Sequence, residues 1–372
     1  MWRRVARVAA VGTAAIALAG CVTVDFSPDG TKLALTWGVG EGRATLGTID
    51  LKGGEFRALA GGEDGVFPLW SPDGRYLLFQ TRQDGRERLR LHDVGAGSTR
   101  TIGPDLQPPY AWREDGRRFA GVHRLEDGTL EVVWYNLPEA GVTLRAPVPF
   151  KGPAELRMVW LPGTDDLAVV GDTDGRRDIY LVEAGQAHQL TTSGDVVGLA
   201  LSRDGKRLVW ARKSRNPRYI LLSLYAFDLA SRSVTKLPFP DRVRAVNPDP
   251  RHAPESVEYV AFSPDGARLA ALVTLPAAPA PGPGKPGGPA PATGAAAGKP
   301  RAAIYTITMD GRGAALVYRA QGTGGPGSPV LPAWSRDGSL LGFVAVDGGQ
   351  ARAVVCRADG SGRRVLLSGE AP

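Results

Sequence analysis

Few residues of this chain have a type and spacing that could do chemistry on a substrate. Its four histidines, His92, His123, His188 and His252, are spread along the chain, and none stands at metal-ligand spacing from another. Asp172-Thr173-Asp174-Gly175 followed by Asp178 hints at a calcium loop. Its spacing departs from the EF-hand pattern, and a plain Asp-Gly turn explains it better. No Gly-x-Ser-x-Gly elbow is present, so a nucleophilic serine of the hydrolase kind is not expected. The expectation is a protein without catalytic residues, metal or cofactor.

One thiol stands apart. Arg3, Arg4 and Arg7 form a positive leader, residues 8–18 are mostly Ala, Val and Ile, and Leu18-Ala19-Gly20-Cys21 follows. The apolar run is too short to span a bilayer and has the order of a secretory signal. Leu18-Ala19-Gly20-Cys21 resembles the lipobox of bacterial lipoproteins. The resemblance implies a signal peptide over 1–20, thioether lipidation of Cys21, cleavage before it, and N-acylation. Several acyl chains would hold the protein stably at the bilayer. The expected location is therefore extracytoplasmic, on the periplasmic or outer side of a bacterial membrane. The only other cysteine, Cys356, then has no disulfide partner. It sits in the apolar run Ala353-Val354-Val355-Cys356 and reads as a small buried side chain rather than a nucleophile.

The formal net charge of +7 includes the three leader arginines, and a balance so mild gives no argument for nucleic acid. Hydrophobic residues make up 43% and charged residues 22%, a globular composition. Gly 49 and Pro 30 are high counts, which favours many short strands joined by turns.

The elements that must position these residues come from a repeat. Phe26-Ser27-Pro28-Asp29-Gly30 recurs as Trp70-Ser71-Pro72-Asp73-Gly74 and as Trp112-Arg113-Glu114-Asp115-Gly116. It returns as Leu201-Ser202-Arg203-Asp204-Gly205, Phe262-Ser263-Pro264-Asp265-Gly266 and Trp334-Ser335-Arg336-Asp337-Gly338. Trp160-Leu161-Pro162-Gly163-Thr164 is a degenerate copy between the third and the next. Pro sets the first corner of a type I turn, Asp bonds back to the backbone, and Gly accepts positive φ. Each motif is thus a hairpin whose aromatic residue ends one strand. A second turn follows, as in Glu126-Asp127-Gly128 and Asp174-Gly175, and then two more strands.

Units of about forty residues with four antiparallel strands are blades of a β-propeller. The prediction is an all-β propeller of about seven blades, six or eight remaining open. They fall at 22–62, 63–104, 105–150, 151–191, 192–240, 241–322 and 323–372, one propeller domain over 21–372. Residues 276–300 are almost wholly Pro, Ala and Gly and form a low-complexity loop inside the sixth blade. Trp70, Trp112, Trp160 and Trp334 share one repeat position, which makes them packing between blades.

The Ser-Pro-Asp-Gly repeats resemble the Trp-Asp-like repeats of TolB-type propellers, which also occur beneath the hydrolase domain of prolyl-oligopeptidase relatives. The resemblance covers the chain after Cys21 and implies the fold. It departs from TolB in lacking a preceding α/β domain and in its seven blades against six.

Propeller geometry sorts the turns onto two faces. The motif turns lie on one; the turns between second and third strands lie on the other. Cys21 precedes the first inner strand closely, so it emerges on the face opposite the motif turns. That face would also carry Arg212, Lys213, Arg215 and Arg218, with Arg242, Arg244 and Arg251 from the insertion at 239–255. These seven cations form a candidate rim for anionic headgroups or a partner. Functionally the reading is a membrane-anchored protein-binding or scaffold propeller, of the kind that serves as an accessory subunit of an envelope or membrane complex, with the lipid bilayer and a protein as its partners. The alternative is a propeller enzyme of lactonase or lyase type with polar groups converging in the central channel.

Overall fold

Each motif folds by satisfying its own polar atoms. In the second copy the Ser71 hydroxyl donates to the Asp73 carboxylate at 2.6 Å and accepts the Tyr76 N–H at 2.8 Å. Asp73 also accepts the Arg75 N–H at 3.0 Å, and the Gly74 N–H closes the turn onto the Ser71 carbonyl at 2.9 Å. Gly74 has φ of 73°, a conformation that costs a residue with a Cβ. The Ser27, Ser202, Ser263 and Ser335 hydroxyls make the same bond to Asp29, Asp204, Asp265 and Asp337.

The computed structural model describes residues 23–38, 44–83, 86–102, 106–137, 141–153, 158–213, 222–238, 256–275, 301–320, 331–347 and 350–370. They form seven antiparallel sheets, and no helix occurs among them. The first blade runs Val24–Phe26, Lys32–Gly38, Ala44–Asp50 and Arg57–Glu63, paired in that order from inside outward. The inner strands of the others are Val66–Trp70, Leu106–Trp112, Val159–Trp160, Val196–Leu201, Ser256–Phe262 and Ala333–Trp334. In the fourth blade a second short piece, Gly152–Pro153, also pairs with the second strand, Leu167–Thr173. The chain is therefore an all-β propeller of seven four-stranded blades, the architecture expected from the repeat. In the sixth blade Leu275, the last residue of the second strand, pairs with Arg301, the first of the third. Residues 276–300 themselves lie outside the described residues.

The core is divided among the seams between neighbouring blades. One cluster joins Ala34 and Leu46 of the first blade to Trp70, Leu77 and Phe79 of the second. Another joins Leu78 to Trp112, Phe119 and Tyr135 across blades 2 and 3. A single blade has two apolar faces and cannot bury both; a ring buries each against a neighbour, at about 1.5–3 kcal/mol per fully buried large side chain.

The ring closes without exchanging a strand. The first blade is wholly N-terminal and the seventh wholly C-terminal. Side chains make the closure. Phe26 lies so close to Gly342 that a Cβ there would sit 2.9 Å from its ring. The Arg364 guanidinium donates to the Leu51 carbonyl at 2.8 Å, and Arg336 of the seventh blade reaches the Pro72 carbonyl of the second at 2.8 Å.

Candidate functional site: the central channel and its motif-face mouth

Seven inner strands enclose a channel of about 1,100 Å³. Every blade contributes to its lining, among others Val24, Leu69, Tyr110, Val159, Leu199, Tyr259 and Leu331, and polar atoms make up nearly half of the lining surface. Charge is confined to the mouth on the motif face, where Arg113, Glu114, Asp115, Arg203 and Asp204 line the opening.

The mouth residues come from the motif turns, and most of their charge is already used. Arg113 stands where other copies have Ser. It pairs with Asp165 of the next blade at 2.8 Å, and Arg118 meets the same carboxylate at 2.7 Å. The Arg113 guanidinium also lies 6.0 Å from the centre of the Trp160 ring. Asp204 accepts the Ser202 hydroxyl at 2.6 Å and the Lys206 N–H at 3.1 Å. The Ser202 hydroxyl, more than any other contact, holds Asp204 below the ordinary carboxylate range. Ser27 and Ser335 do the same for Asp29 and Asp337. Carboxylates held ionised and hydrogen-bonded in turns have no proton to give near neutral pH. Glu114 and Arg203 are exposed at the opening and carry opposite signs. The mouth is thus suited to polar and charged recognition over a shaft without charged side chains among the described residues.

None of His92, His123 and His188 lines the channel. His92 is buried in the third strand of blade 2 against the Thr99 hydroxyl at 2.8 Å, and burial lowers its pKa. His123 meets Glu131 at 2.9 Å, and that carboxylate also binds Arg145. His188 lies on the outer strand of blade 4, and His252 is outside the described residues. The aspartates of the calcium-like stretch are spent separately. Asp172 accepts the Gly175 N–H at 2.8 Å, and Asp174 pairs with Lys151 at 2.7 Å. Asp178 takes the Thr191 hydroxyl at 2.9 Å and the Gly194 N–H at 3.0 Å. Among the described residues no group of three or more His, Cys, Asp or Glu side chains is placed to hold a metal ion. Cys356 is buried, and burial pushes its thiol up to about 11.

Of the candidate cationic rim, Arg212 and Lys213 end the second strand of blade 5, on the face opposite the motif turns. Arg212 is bound to Asp195 through two bonds of 2.7 and 2.9 Å and lies 5.2 Å from the Tyr225 ring centre. Its charge is therefore largely committed inside the protein. Arg215, Arg218, Arg242, Arg244, Arg251 and the lipidation candidate Cys21 lie outside the described residues.

What sequence reasoning missed is how the tryptophans tie blade to blade. The Trp112 indole donates to the Leu69 carbonyl at 3.2 Å, Trp160 to Ala111 at 3.1 Å, and Trp334 to Ala261 at 3.0 Å. In each case the acceptor is one residue before the motif aromatic of the preceding blade. The shared repeat position was the visible signal.

No protein-family model matches the chain, and no curated protein matches its sequence. Solved structures do. The β-propeller domain of the Trilobed protease from Pyrococcus furiosus, which has an open velcro topology, matches with a TM-score of 0.57 at 14% identity, over 93% of this chain and 95% of that one. Oligogalacturonate lyase in complex with manganese matches with a TM-score of 0.58 at 14% identity, over 94% and 88% of the two chains. TolB from Acinetobacter baumannii matches with a TM-score of 0.48 at 14% identity over 94% of this chain, which spans 64% of that protein's length. At such identities the likeness extends to the fold alone: the chain is a β-propeller, and its own sheets make seven blades.

Proposed function

We propose that this chain is a binding or scaffold propeller, held on the extracytoplasmic side of a bacterial membrane by acylated Cys21, which docks a protein partner of the cell envelope on its motif face. The observation that carries the reading is the make-up of the channel. Among the described residues its wall carries no charge, and its mouth carries exposed unlike charges, Glu114 and Arg203, beside turn carboxylates already committed to the fold. Such a surface favours recognition over proton transfer. The Leu18-Ala19-Gly20-Cys21 sequence supports the anchor and, with it, the extracytoplasmic location. A lipid emerging opposite the motif turns would leave the motif face free for the partner.

The test is photo-crosslinking in native membranes, with the crosslinker at Glu114 in one variant and at Lys213 in another. The expected result is one stoichiometric protein adduct from Glu114 and none from Lys213, with Cys21→Ser protein released from the membrane. An absence of any adduct from the motif face would overturn the docking reading, and membrane retention of Cys21→Ser would overturn the anchor.

A further inference from the structure

The seam between blades 5 and 6 is closed differently from the rest. At each seam a second-strand residue, four positions after the motif glycine or its equivalent, lies beneath the motif aromatic of the next blade. Ala34, Leu78, Ala120 and Ala270 hold this place in blades 1, 2, 3 and 6, each 0% exposed. Ala168 is equally buried in blade 4, and Gly342 in blade 7 lies against Phe26. In blade 5 the residue is Val209, and it is half-exposed.

The cause is a pair, a phenyl ring over a valine: Leu201 over Ala168 and Phe26 over Gly342 also lack an indole, but both of those small residues stay buried. Trp70, Trp112, Trp160 and Trp334 cover four seams. Phe262 covers this one, with Leu201 at the preceding motif. A phenyl ring is smaller than an indole and has no N–H. The carbonyl equivalent to Leu69, Ala111 and Ala261 is that of Ala200, and among the described residues no indole donates to it. A groove of about 550 Å³ results, open to the motif face. Ala200 stands at its wall; Leu201, Val209, Phe262 and Met309, all half-buried, form its apolar surface.

We propose that this groove binds a free, neutral, planar aromatic heterocycle of indole size with one N–H donor. The repeat argues for this occupant. The same position in blades 3, 4 and 7 is filled by an indole whose N–H bonds the homologous carbonyl. The bound ring packs on Phe262, Val209 and Met309 and donates to the second lone pair of the Ala200 carbonyl. Asp204 and Asp265 at the rim accept their own serines at 2.6 Å each, so they offer little to a ligand. Burial raises the Asp265 pKa, but the Ser263 hydroxyl and the Ala267 N–H outweigh it and keep the carboxyl ionised. Arg203, exposed at the rim, can cover the outer face of the ring, as Arg232 covers Phe227 at 5.6 Å. The site goes beyond protein docking and does not depend on it.

The methionines supply the experiment. The chain has three: Met1 in the leader, Met158 on the channel wall and Met309 in the groove. With the full chain labelled at the methionine methyls, indole is titrated and both reporters are followed by NMR. The Met309 methyl is expected to shift saturably while Met158 stays still. 1-Methylindole, which lacks the donor, is expected to bind at least fivefold more weakly. Phe262→Trp, which restores the residue of the other seams, is expected to fold normally and lose the response. The proposal is overturned if Met309 does not move, if Met158 moves instead, if 1-methylindole binds as well as indole, or if Phe262→Trp binds as the parent does. Tenfold tighter binding of N-acetyltryptophanamide than of indole would overturn the free heterocycle in favour of a protein side chain.

Discussion

The seam between blades 2 and 3 and the seam between blades 5 and 6 start from the same repeat positions and end as different surfaces. In the first, Trp112 stacks on Tyr76 at 6.3 Å, tilts onto Phe119 at 5.4 Å, and bonds the Leu69 carbonyl. Phe119 in turn stacks on Tyr135 at 5.0 Å. Apart from the partly buried Val66 and Leu137, the apolar residues of that cluster are covered. In the second, Leu201, Val209, Phe262 and Met309 remain half-exposed around a groove. The difference teaches that the motif aromatic does two things in a propeller of this kind. It seals a seam by volume, and at Trp112, Trp160 and Trp334 it also crosslinks two blades by its N–H. Where Phe262 supplies neither over Val209, the ring still closes but leaves a binding surface beside the channel mouth.

The comparison breaks most sharply if the sealed seam is emptied. Trp112→Ala removes a large side chain that is 9% exposed, together with its hydrogen bond. It is expected to cost about 3–5 kcal/mol, the range for deleting a buried aromatic ring. Phe262→Ala is expected to cost less than half as much, because part of that ring already faces water. Urea unfolding of the two variants against the parent measures both. Equal losses would mean that the two seams carry the same load and that the contrast between them is one of shape alone.

A smaller effect separates the turns themselves. Most motif copies keep the Ser hydroxyl that binds the turn Asp, but blade 3 has Arg113 in its place. Ser335 is buried, donates to Asp337 at 2.6 Å and accepts the Leu340 N–H at 2.9 Å. Ser335→Ala is expected to cost about 1–2 kcal/mol at neutral pH. The pH dependence follows from the same bond. Asp337 titrates below its usual range in the folded state, chiefly because of the Ser335 hydroxyl. A folded-state pKa depressed in this way gives stability that is present above the unfolded value of about 3.9 and disappears as pH falls through the folded value. The difference between Ser335→Ala and the parent should therefore hold from pH 7 to about 5 and narrow below about 4. A difference that did not change with pH would assign the loss to packing and not to the carboxylate.

How much of this was legible depended on the range of each interaction. The hairpins were readable because Ser, Pro, Asp and Gly settle a turn within five residues. Seven such turns at blade spacing then leave a ring as the way to bury both faces of every sheet. The inner position of Val24–Phe26 followed from the same logic. The pairing of Arg212 with Asp195 was not readable, because the two meet only through the pairing of the first and second strands of blade 5. Nor was the bridge from Arg113 and Arg118 to Asp165, which crosses from one blade to the next. Charges that looked free along the chain were partly spent across the seams. The open groove lies between these cases. Leu201 and Phe262 were visible in place of Trp, but the exposure of Val209 depends on what stands across the seam.

The smallest expected effect asks whether the repeat can be repaired. Phe262→Trp places an indole over Val209, where Trp112 covers Leu78 and Trp334 covers Ala270. The added ring fills part of a groove that the fold has already formed, so little backbone should move. Its N–H comes within reach of the Ala200 carbonyl, as that of Trp334 reaches Ala261 at 3.0 Å. Filling a site of this kind usually adds about 0.5–2 kcal/mol, and the lower end is expected here because the groove is open to water. Val209 is larger than the alanines at Ala34, Ala120, Ala168 and Ala270, so some of the gain will be lost to crowding. The double variant Phe262→Trp with Val209→Ala separates the two contributions. If the double variant is more stable than the single one, crowding was the obstacle and the seam can be sealed like its neighbours. If both variants are less stable than the parent, the phenyl and valine pair is itself the better packing, and the groove reflects a different blade geometry and not a missing indole.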